Sequence, residues 1–340
     1  MARPALHFQL FVKDADSRGA SALRCRVCDN AGPRMPTNSL LTAAPVLAWF
    51  FVAVWGSGYI ASKTGLQYAP PFTFLMLRFA TGLVLLLPLL LYWRRREPLR
   101  WPVGAIAWMH VIVAGLLMHA VNLGASHYAQ YLGMPAGVTA LVLAAQPLVT
   151  AVIAAALLGE RLRPLQWIGV LTGLGGVALV VWHKIDIRAV TTGATAAVLI
   201  ALAAITVGTL YQRAYCRTVD LRVASVVQFS ATLAVVTPLA FVVEGAPVRF
   251  GWPLVAALGF LVIFSSILAV NALHTLMRRG EATRVTSLLY LTPIFAVALE
   301  WLLFSVVPTA LTVAGIIVTC AGVALVAWQP RELFIDGRRA

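Results

Sequence analysis

Long apolar stretches alternate with short polar or charged segments along most of this chain. Ten stretches near the length of a membrane span are visible: 43–62, 72–92, 105–128, 136–158, 165–183, 194–212, 223–243, 253–276, 285–306 and 309–328. Because an α-helix rises about 1.5 Å per residue, roughly 20 apolar residues cross the hydrocarbon core of a bilayer. The pattern therefore predicts an all-α integral membrane protein of ten transmembrane helices.

The composition narrows the class of protein further. The chain is 61% hydrophobic and 11% charged, whereas soluble domains are about half apolar and a quarter charged. A water-soluble fold is excluded, and the lipid bilayer is the expected surrounding. The formal net charge is +14, but the basic residues form short clusters between apolar stretches and make no basic domain. No nucleic-acid partner is therefore expected.

The distribution of Lys and Arg predicts the orientation of the chain in the membrane. With the N-terminus inside, the cytoplasmic loops and both tails hold 21 of the 26 basic residues, the opposite loops hold four, and Arg78 lies within a span. Without the tails the ratio is still 12 to four. Because basic loops stay on the cytoplasmic side, we expect both termini in the cytoplasm and the protein in a bacterial inner membrane.

Both ends of the chain lack the hydrophobic pattern. Residues 1–35 are Arg-rich and aperiodic, which predicts either a disordered cytoplasmic tail or a wrongly assigned start, with translation beginning at Met35 instead. Residues 329–340 are predicted to form a cytoplasmic C-tail. Cys25 and Cys28 have C-x-x-C spacing, but without a second pair or a nearby His this is a weak zinc signal. We expect no metal ion and no cofactor.

The chain contains an internal repeat. Residues 176–182 read GVALVVW and recur 146 positions later as GVALVAW at 322–328. Offsets of 146 to 150 align four further pairs, namely Pro147 with Pro293, Gly169 with Gly315, His127 with His274 and Phe79 with Phe229. We therefore predict two five-helix repeats, 43–183 and 194–328. An odd number of helices makes the second repeat enter the membrane inverted, an architecture suited to alternating access.

Short motifs in the first half match a known family. They are, in chain order, Trp55-Gly56-Ser57-Gly58, Lys63, Pro70-Pro71, Leu77-Arg78-Phe79, Gln146-Pro147-Leu148, Leu158-Gly159-Glu160-Arg161-Leu162 and Gln166-Trp167-Ile168-Gly169. With these motifs the chain resembles the EamA-type proteins of the drug/metabolite transporter superfamily over residues 43–328. It departs from the family where a second Gly-Glu would follow the ninth span. The resemblance implies a ten-helix carrier with a central cavity, commonly an exporter of amino acids or other small metabolites, often presumed proton-coupled.

Two charged residues are predicted inside spans. Arg78 and Glu300 each lie six positions from the outer end of a span, about 9 Å below the same surface. An intramembrane charge costs about 2.5 to 3.5 kcal/mol or more, so each needs a cavity, a partner or a route to water. The functional hypothesis is that Arg78 and Lys63 attract a carboxylate while Glu300 binds substrate or a coupling proton. The alternatives are an Arg78–Glu300 ion pair, a snorkelling Arg78 and an interfacial anchor at Lys63.

Uncharged polar side chains also line the predicted inner faces of several spans. The candidates for a substrate pathway are His119, Asn122, Gln146, Gln228, Asn271 and Tyr290. Convergence of polar stripes from several helices suits a cavity for a small-molecule substrate. The structural alternative is that such groups simply join helices by hydrogen bonds.

Two other functions compete with metabolite transport. A lipid flippase or scramblase could share the fold and the repeat. A membrane-embedded enzyme is disfavoured because no H-E-x-x-H, paired-aspartate or G-x-S-x-G motif is present, and of twelve acidic residues only Glu300 is well inside a span. The expected partners are a small-molecule substrate and the lipid bilayer, with a homodimer left open.

Overall fold

The computed structural model describes residues 40–157, 163–186, 191–245, 247–268 and 291–327. All regular secondary structure within these ranges is helical. Six of the helices there are long and apolar enough to cross a membrane: Pro71–Arg94, Gly104–Tyr131, Ala136–Ile153, Pro164–Trp182, Thr192–Tyr215 and Leu221–Val243. The prediction of an all-α protein with several helices of membrane-spanning length is confirmed.

The helices are labelled in chain order across the described residues. The first repeat contains α1 Leu40–Leu66, α2 Pro71–Arg94, α3 Gly104–Tyr131, α4 Ala136–Ala144 with Gln146–Leu157, and α5 Pro164–Asp186. The second contains α6 Thr192–Tyr215, α7 Leu221–Val243, α8 Trp252–Gly259 with Phe260–Leu268, α9 Thr292–Phe304 and α10 Ala310–Ala327. The interruption of α4 at Ala145 directly precedes Gln146-Pro147, where the missing N–H of proline disturbs the helical hydrogen bonds.

Two helices contain π-helical segments at equivalent places in the two repeats. In α3 the segment is Leu116–Val121, and in α8 it is Phe260–Leu268. An offset of 147, the one that aligns His127 with His274, places the first segment within the second. Such segments are frequent at functional sites because they widen the helix locally. His119 lies in the α3 segment.

The helix pairs follow the repeat. α5 packs against α10, α2 against α7, and α4 against α9, so each of these pairs joins equivalent helices of the two repeats. α3 packs against α6 and α1 against α8, and these two pairs are equivalent to each other. The pairing fits two five-helix repeats related by an approximate twofold axis.

Glycines bring α5 and α10 into backbone contact. A Cβ on Gly169 would lie 2.6 Å from the Gly322 carbonyl oxygen, and one on Gly176 would lie 2.9 Å from that of Gly315. Gly169 and Gly315 are equivalent positions in the repeats, as are Gly176 and Gly322, so the contact is reciprocal. Because the start of α5 meets the end of α10, these two helices run antiparallel.

Polar contacts join the two repeats at the ends of α2. At its start, the Glu244 carboxylate accepts hydrogen bonds from the backbone N–H groups of Phe72 and Thr73, both at 2.8 Å. At its other end, Arg222 donates to the Glu97 carboxylate at 3.1 Å and to that of Asp220 at 2.9 Å. These contacts fix α2 against α7 at both ends.

Candidate functional site

A buried ion pair links α1 to α9. The Lys63 ammonium lies 2.6 Å from Glu300 Oε1, and its Nζ also lies 4.6 Å from the centre of the Phe304 ring. The Glu300 side chain is 4% exposed and that of Lys63 is 24% exposed. Lys63 reaches the pair because it lies in the last turn of α1, where a long side chain extends past the helix end.

The same carboxylate also caps the first turn of α4. Glu300 Oε1 accepts from the Ala136 N–H and Oε2 from the Gly137 N–H, both at 2.9 Å. The first N–H groups of a helix have no partner within it and favour a nearby negative charge. Gly137 is required here because a Cβ would collide with the Val297 side chain. Glu300 therefore holds the ends of three helices together.

These contacts correct one of the predicted pairings. Arg78 and Glu300 were predicted at the same depth, but the described partners of the Glu300 carboxylate are Lys63 and the two α4 amides. Depth along a helix does not fix the direction in which a side chain points. Glu300, the candidate for proton coupling, is thus held by one side-chain donor and two backbone donors.

Arg78 lies two turns into α2 and is half-buried. Its Nε is fully buried and has no hydrogen-bond partner among the described residues. Its positive charge acts electrostatically on His119 and His127 of α3. A guanidinium with an unused buried donor inside the bundle is available for an anionic ligand.

Three polar side chains form a hydrogen-bonded chain from α3 to α6. His119 Nε2 lies 3.3 Å from Gln228 Oε1, and Gln228 Nε2 donates to Gln212 Oε1 at 3.0 Å. Because Gln228 Oε1 is an acceptor, a neutral His119 in this contact would carry its hydrogen on Nε2, with Nδ1 as an acceptor. The structure thus brings together two of the candidate pathway residues, His119 and Gln228, and adds Gln212.

The other predicted pathway residues have separate surroundings. Gln146 Nε2 donates to Thr209 Oγ1 at 3.0 Å, which joins α4 to α6. Asn122 donates to the Met118 carbonyl at 3.1 Å, and its Oδ1 is buried with no partner in the described part of the chain. Asn271 and Tyr290 lie outside the described residues.

His127 is the main polar residue that sequence reasoning left out of the site. Its side chain is 2% exposed, Nε2 lies 3.1 Å from Ser62 Oγ, and Nδ1 has no partner within the described ranges. The alignment of His127 with His274 was the available signal, but it served only to define the repeat. Buried polar atoms without partners also occur elsewhere in the described residues, namely at Gln130, Ser265 and Thr292.

Orphaned polar atoms in a membrane protein require an explanation, because buried polar groups are normally paired. Those named above lie on α2, α3, α8 and α9, and α1 packs against α3, α8 and α9. Water or a polar ligand between these helices would satisfy them. Among the described residues no cluster of His, Cys, Asp and Glu is arranged to hold a metal ion.

Comparison with known proteins identifies relatives that align with most of the chain. It is 30% identical over 255 residues to the uncharacterized inner membrane transporter YedA of Escherichia coli (strain K12), covering 72% of this chain and 78% of that protein. It is 26% identical over 286 residues to a probable amino-acid metabolite efflux pump of the same organism, covering 82% and 92% respectively. A solved crystal structure shares the fold, with a TM-score of 0.60, 20% identity and coverage of 84% of this chain and 97% of that one.

The family comparison covers both halves separately. The profile of the EamA-like transporter family matches twice, at residues 43–182 and 191–328. The two matches fall on the two sets of helices that pair across the approximate twofold axis. From this double match and the relatives aligned over most of its length, the chain belongs to the EamA-like transporter family.

Proposed function

We propose that this protein exports a small carboxylate-bearing metabolite, an amino acid or related compound, across the bacterial inner membrane by alternating access. In this proposal ten helices span the membrane as two inverted repeats, with both termini in the cytoplasm. The antiparallel contact of α5 with α10 supports the inversion. The excess of Lys and Arg in alternate loops supports the orientation.

The observation that carries the proposal is that the Arg78 side chain has a buried donor without a hydrogen-bond partner among the described residues. Its Nε is buried and unpaired among the described residues, while Glu300, the acid predicted at its depth, is bound elsewhere. A guanidinium binds a carboxylate through two parallel hydrogen bonds, and such charge-assisted bonds are strong where water is excluded. A substrate carboxylate would supply the partner that Arg78 lacks.

The surrounding polar groups suit the rest of a small polar substrate. His119 is held by Gln228, which leaves its Nδ1 as an acceptor, and Asn122 Oδ1 is a second buried acceptor. A cation on α2 and buried acceptors on the neighbouring helix α3 suit a molecule with both a carboxylate and N–H donors. We propose further that transport is coupled to protons, with Glu300 as the candidate group, because it is a buried carboxylate that joins α9 to helices of the other repeat.

The test is flux through purified protein in liposomes. Radiolabelled amino acids should cross in the presence of a proton gradient, and Arg78→Gln should reduce the rate about tenfold or more, since a lost charge-assisted hydrogen bond is worth about 1.5 to 3 kcal/mol. Arg78→Lys should restore only part of it, because Lys lacks the two-pronged geometry. Arg95→Gln, an exposed charge at the end of the same helix, is the matched control. Wild-type flux in Arg78→Gln at equal expression would remove Arg78 from the site.

A second candidate function is supported by one surface feature. A groove of about 310 Å³ lies between α1, α8 and α9, and it is lined mainly by apolar residues such as Ile60, Phe260 and Leu299. A groove of this character at the side of a membrane protein would accommodate an acyl chain. The same liposomes should therefore be loaded with a fluorescent lipid. Lipid movement without amino-acid flux would favour a flippase or scramblase.

A further inference from the structure

We propose that Lys63, Glu300 and the first two amides of α4 form a latch that closes one end of the helix bundle and makes this the favoured resting state of the carrier. The inference rests on the alternating-access mechanism proposed above. It concerns which of the two states the chain prefers, not which substrate it carries.

The latch joins three helix ends at one side of the membrane. Glu300 lies near the end of α9, Lys63 in the last turn of α1, and Ala136 at the start of α4. One carboxylate accepts all three hydrogen bonds, from the Lys63 ammonium at 2.6 Å and from the amides of Ala136 and Gly137 at 2.9 Å. Separation of any of the three helices would leave a buried charge without its partner.

Little space remains between α4, α9 and α10 beside Glu300. The cavity beside Glu300 is about 20 Å³, room for about one water molecule, and its lining includes Val138, Val297 and Thr312. A substrate of amino-acid size could not pass it. The bundle is therefore closed between α4 and α9 beside the latch, and in this proposal passage at this point requires the latch to open.

At the other end of the bundle, the described residues contain no equivalent of this latch. At the offsets that align the two repeats, Lys63 corresponds to Arg213 and Glu300 corresponds to Ala154. The residue equivalent to Lys63 is thus also a cation, but the residue equivalent to Glu300 is uncharged and cannot bind it. Arg213 instead is exposed, with its carbonyl accepting a hydrogen bond from Arg217 at 2.8 Å.

This asymmetry gives the two conformational states of the carrier different free energies. In a transporter built of inverted repeats, the two repeats exchange conformations when access changes from one side to the other. Only the state that closes the latch end gains the Glu300 contacts. With the orientation predicted by the loop charges the latch end faces outward, so the resting carrier would receive its substrate from the cytoplasm, as an exporter must.

Cysteine accessibility in lipid nanodiscs tests the latch without any substrate. The four native cysteines are replaced, and a single cysteine is placed at Val138, beside Glu300, or at Thr150, about 20 Å further along α4. For each single-cysteine protein, the rate of labelling by a membrane-impermeant maleimide is measured with and without the Glu300→Gln substitution. We expect labelling at 138 to rise about tenfold or more, because breaking a buried ion pair shifts an equilibrium by more than a factor of ten. Labelling at 150 should fall.

Two further variants separate the latch from general damage. Lys63→Met removes the cation but leaves the α4 cap, and it should also increase labelling at 138. Glu244→Gln is the matched control, because Glu244 caps α2 at 2.8 Å with the same geometry but its described contacts include no cation. It should leave both rates unchanged.

The outcomes are distinct. Opposite changes at 138 and 150 support the latch, whereas unchanged labelling at 138 overturns it. A rise at both positions would indicate a loosened fold and also overturn it. Because labelling needs no transport, failure of the Arg78 flux test would reject the proposed substrate and leave this result standing.

Discussion

Phe79 and Phe229 pack edge to face, with ring centroids 4.9 Å apart and planes at 75°. They occupy equivalent positions of the two repeats, 150 residues apart. A residue that touches its own equivalent must lie close to the axis that relates the repeats. Arg78 and Gln228, which directly precede them, are equivalent in the same way. The backbone positions of these two residues therefore also lie near this axis.

Removal of the aromatic ring at the axis should destabilise the fold. Phe79 is 1% exposed and contacts the rings of both Phe229 and His119. Truncation of a buried Phe costs about 3 to 5 kcal/mol, so Phe79→Ala should lower the thermal unfolding temperature in detergent clearly. Phe241→Ala on α7, where the ring is 76% exposed, is the control and should have little effect. Equal stabilities of the two variants would contradict the packing described here.

Substitution in the glycine contact of α5 and α10 should prevent folding. A Cβ on Gly322 would lie 2.5 Å from the backbone N and Cα of Gly173, and neither can move without separating the helices. We expect Gly322→Ala to give little folded protein on size-exclusion chromatography. Gly175→Ala on α5 is the control, since nothing lies within 4 Å of its Cβ position. It should be tolerated or slightly stabilising, because Ala favours a helix over Gly by about 1 kcal/mol.

Much of the fold could be predicted because membrane helices must be both apolar and long. The span predicted at 72–92 is the helix Pro71–Arg94, and the one predicted at 223–243 is Leu221–Val243. The repeat also indicates where helices pack closely. Gly169 and Gly315, which are equivalent in the two repeats, both lie in the contact between α5 and α10. The π-helical turns of α3 and α8 were not predicted, because hydropathy does not distinguish π from α hydrogen bonding.

The candidate site was only partly predictable. Sequence position gives depth along a span, and the structure buries Glu300 fully and Arg78 in part, with its Nε enclosed. The position of a residue in the sequence does not show in which direction around the helix its side chain points. It also does not show which backbone N–H groups will lie nearby. The partners of Glu300 are a side chain from the end of α1 and two amides of α4, and of these only Lys63 has a sequence signal.

Asp220 should make stability depend on pH. Hydrogen bonding from the Arg222 side chain holds the pKa of the Asp220 carboxyl below its ordinary value. A carboxyl with a lowered pKa stabilises the fold above its unfolded pKa of about 4, and this contribution is lost as pH falls through the folded value. Asp220→Asn keeps the helix cap but removes the charge. It should lower the unfolding temperature at pH 7, with the difference from wild type shrinking below pH of about 4. A difference that stays constant with pH would assign the effect to packing.

A double-mutant cycle decides between the two ion pairs that Glu300 could form. Lys63 lies 2.6 Å from its carboxylate, whereas the described contacts of Glu300 do not include Arg78. Breaking one side of a buried pair costs about 3 to 5 kcal/mol, because the other charge is left uncompensated. Lys63→Met with Glu300→Gln should therefore be much less destabilising than the sum of the single variants.

The second arm of the cycle pairs Arg78→Gln with Glu300→Gln. Residues that share no partner add within about 0.5 kcal/mol, so this double variant should show the sum of the two single effects. The measurement is thermal stability in detergent for all five variants and wild type, alongside flux in liposomes. Strong coupling between Arg78 and Glu300, with none between Lys63 and Glu300, would restore the pairing expected from depth alone. It would also assign Arg78 a structural role, because its charge would then be neutralised within the bundle and unavailable to a substrate carboxylate.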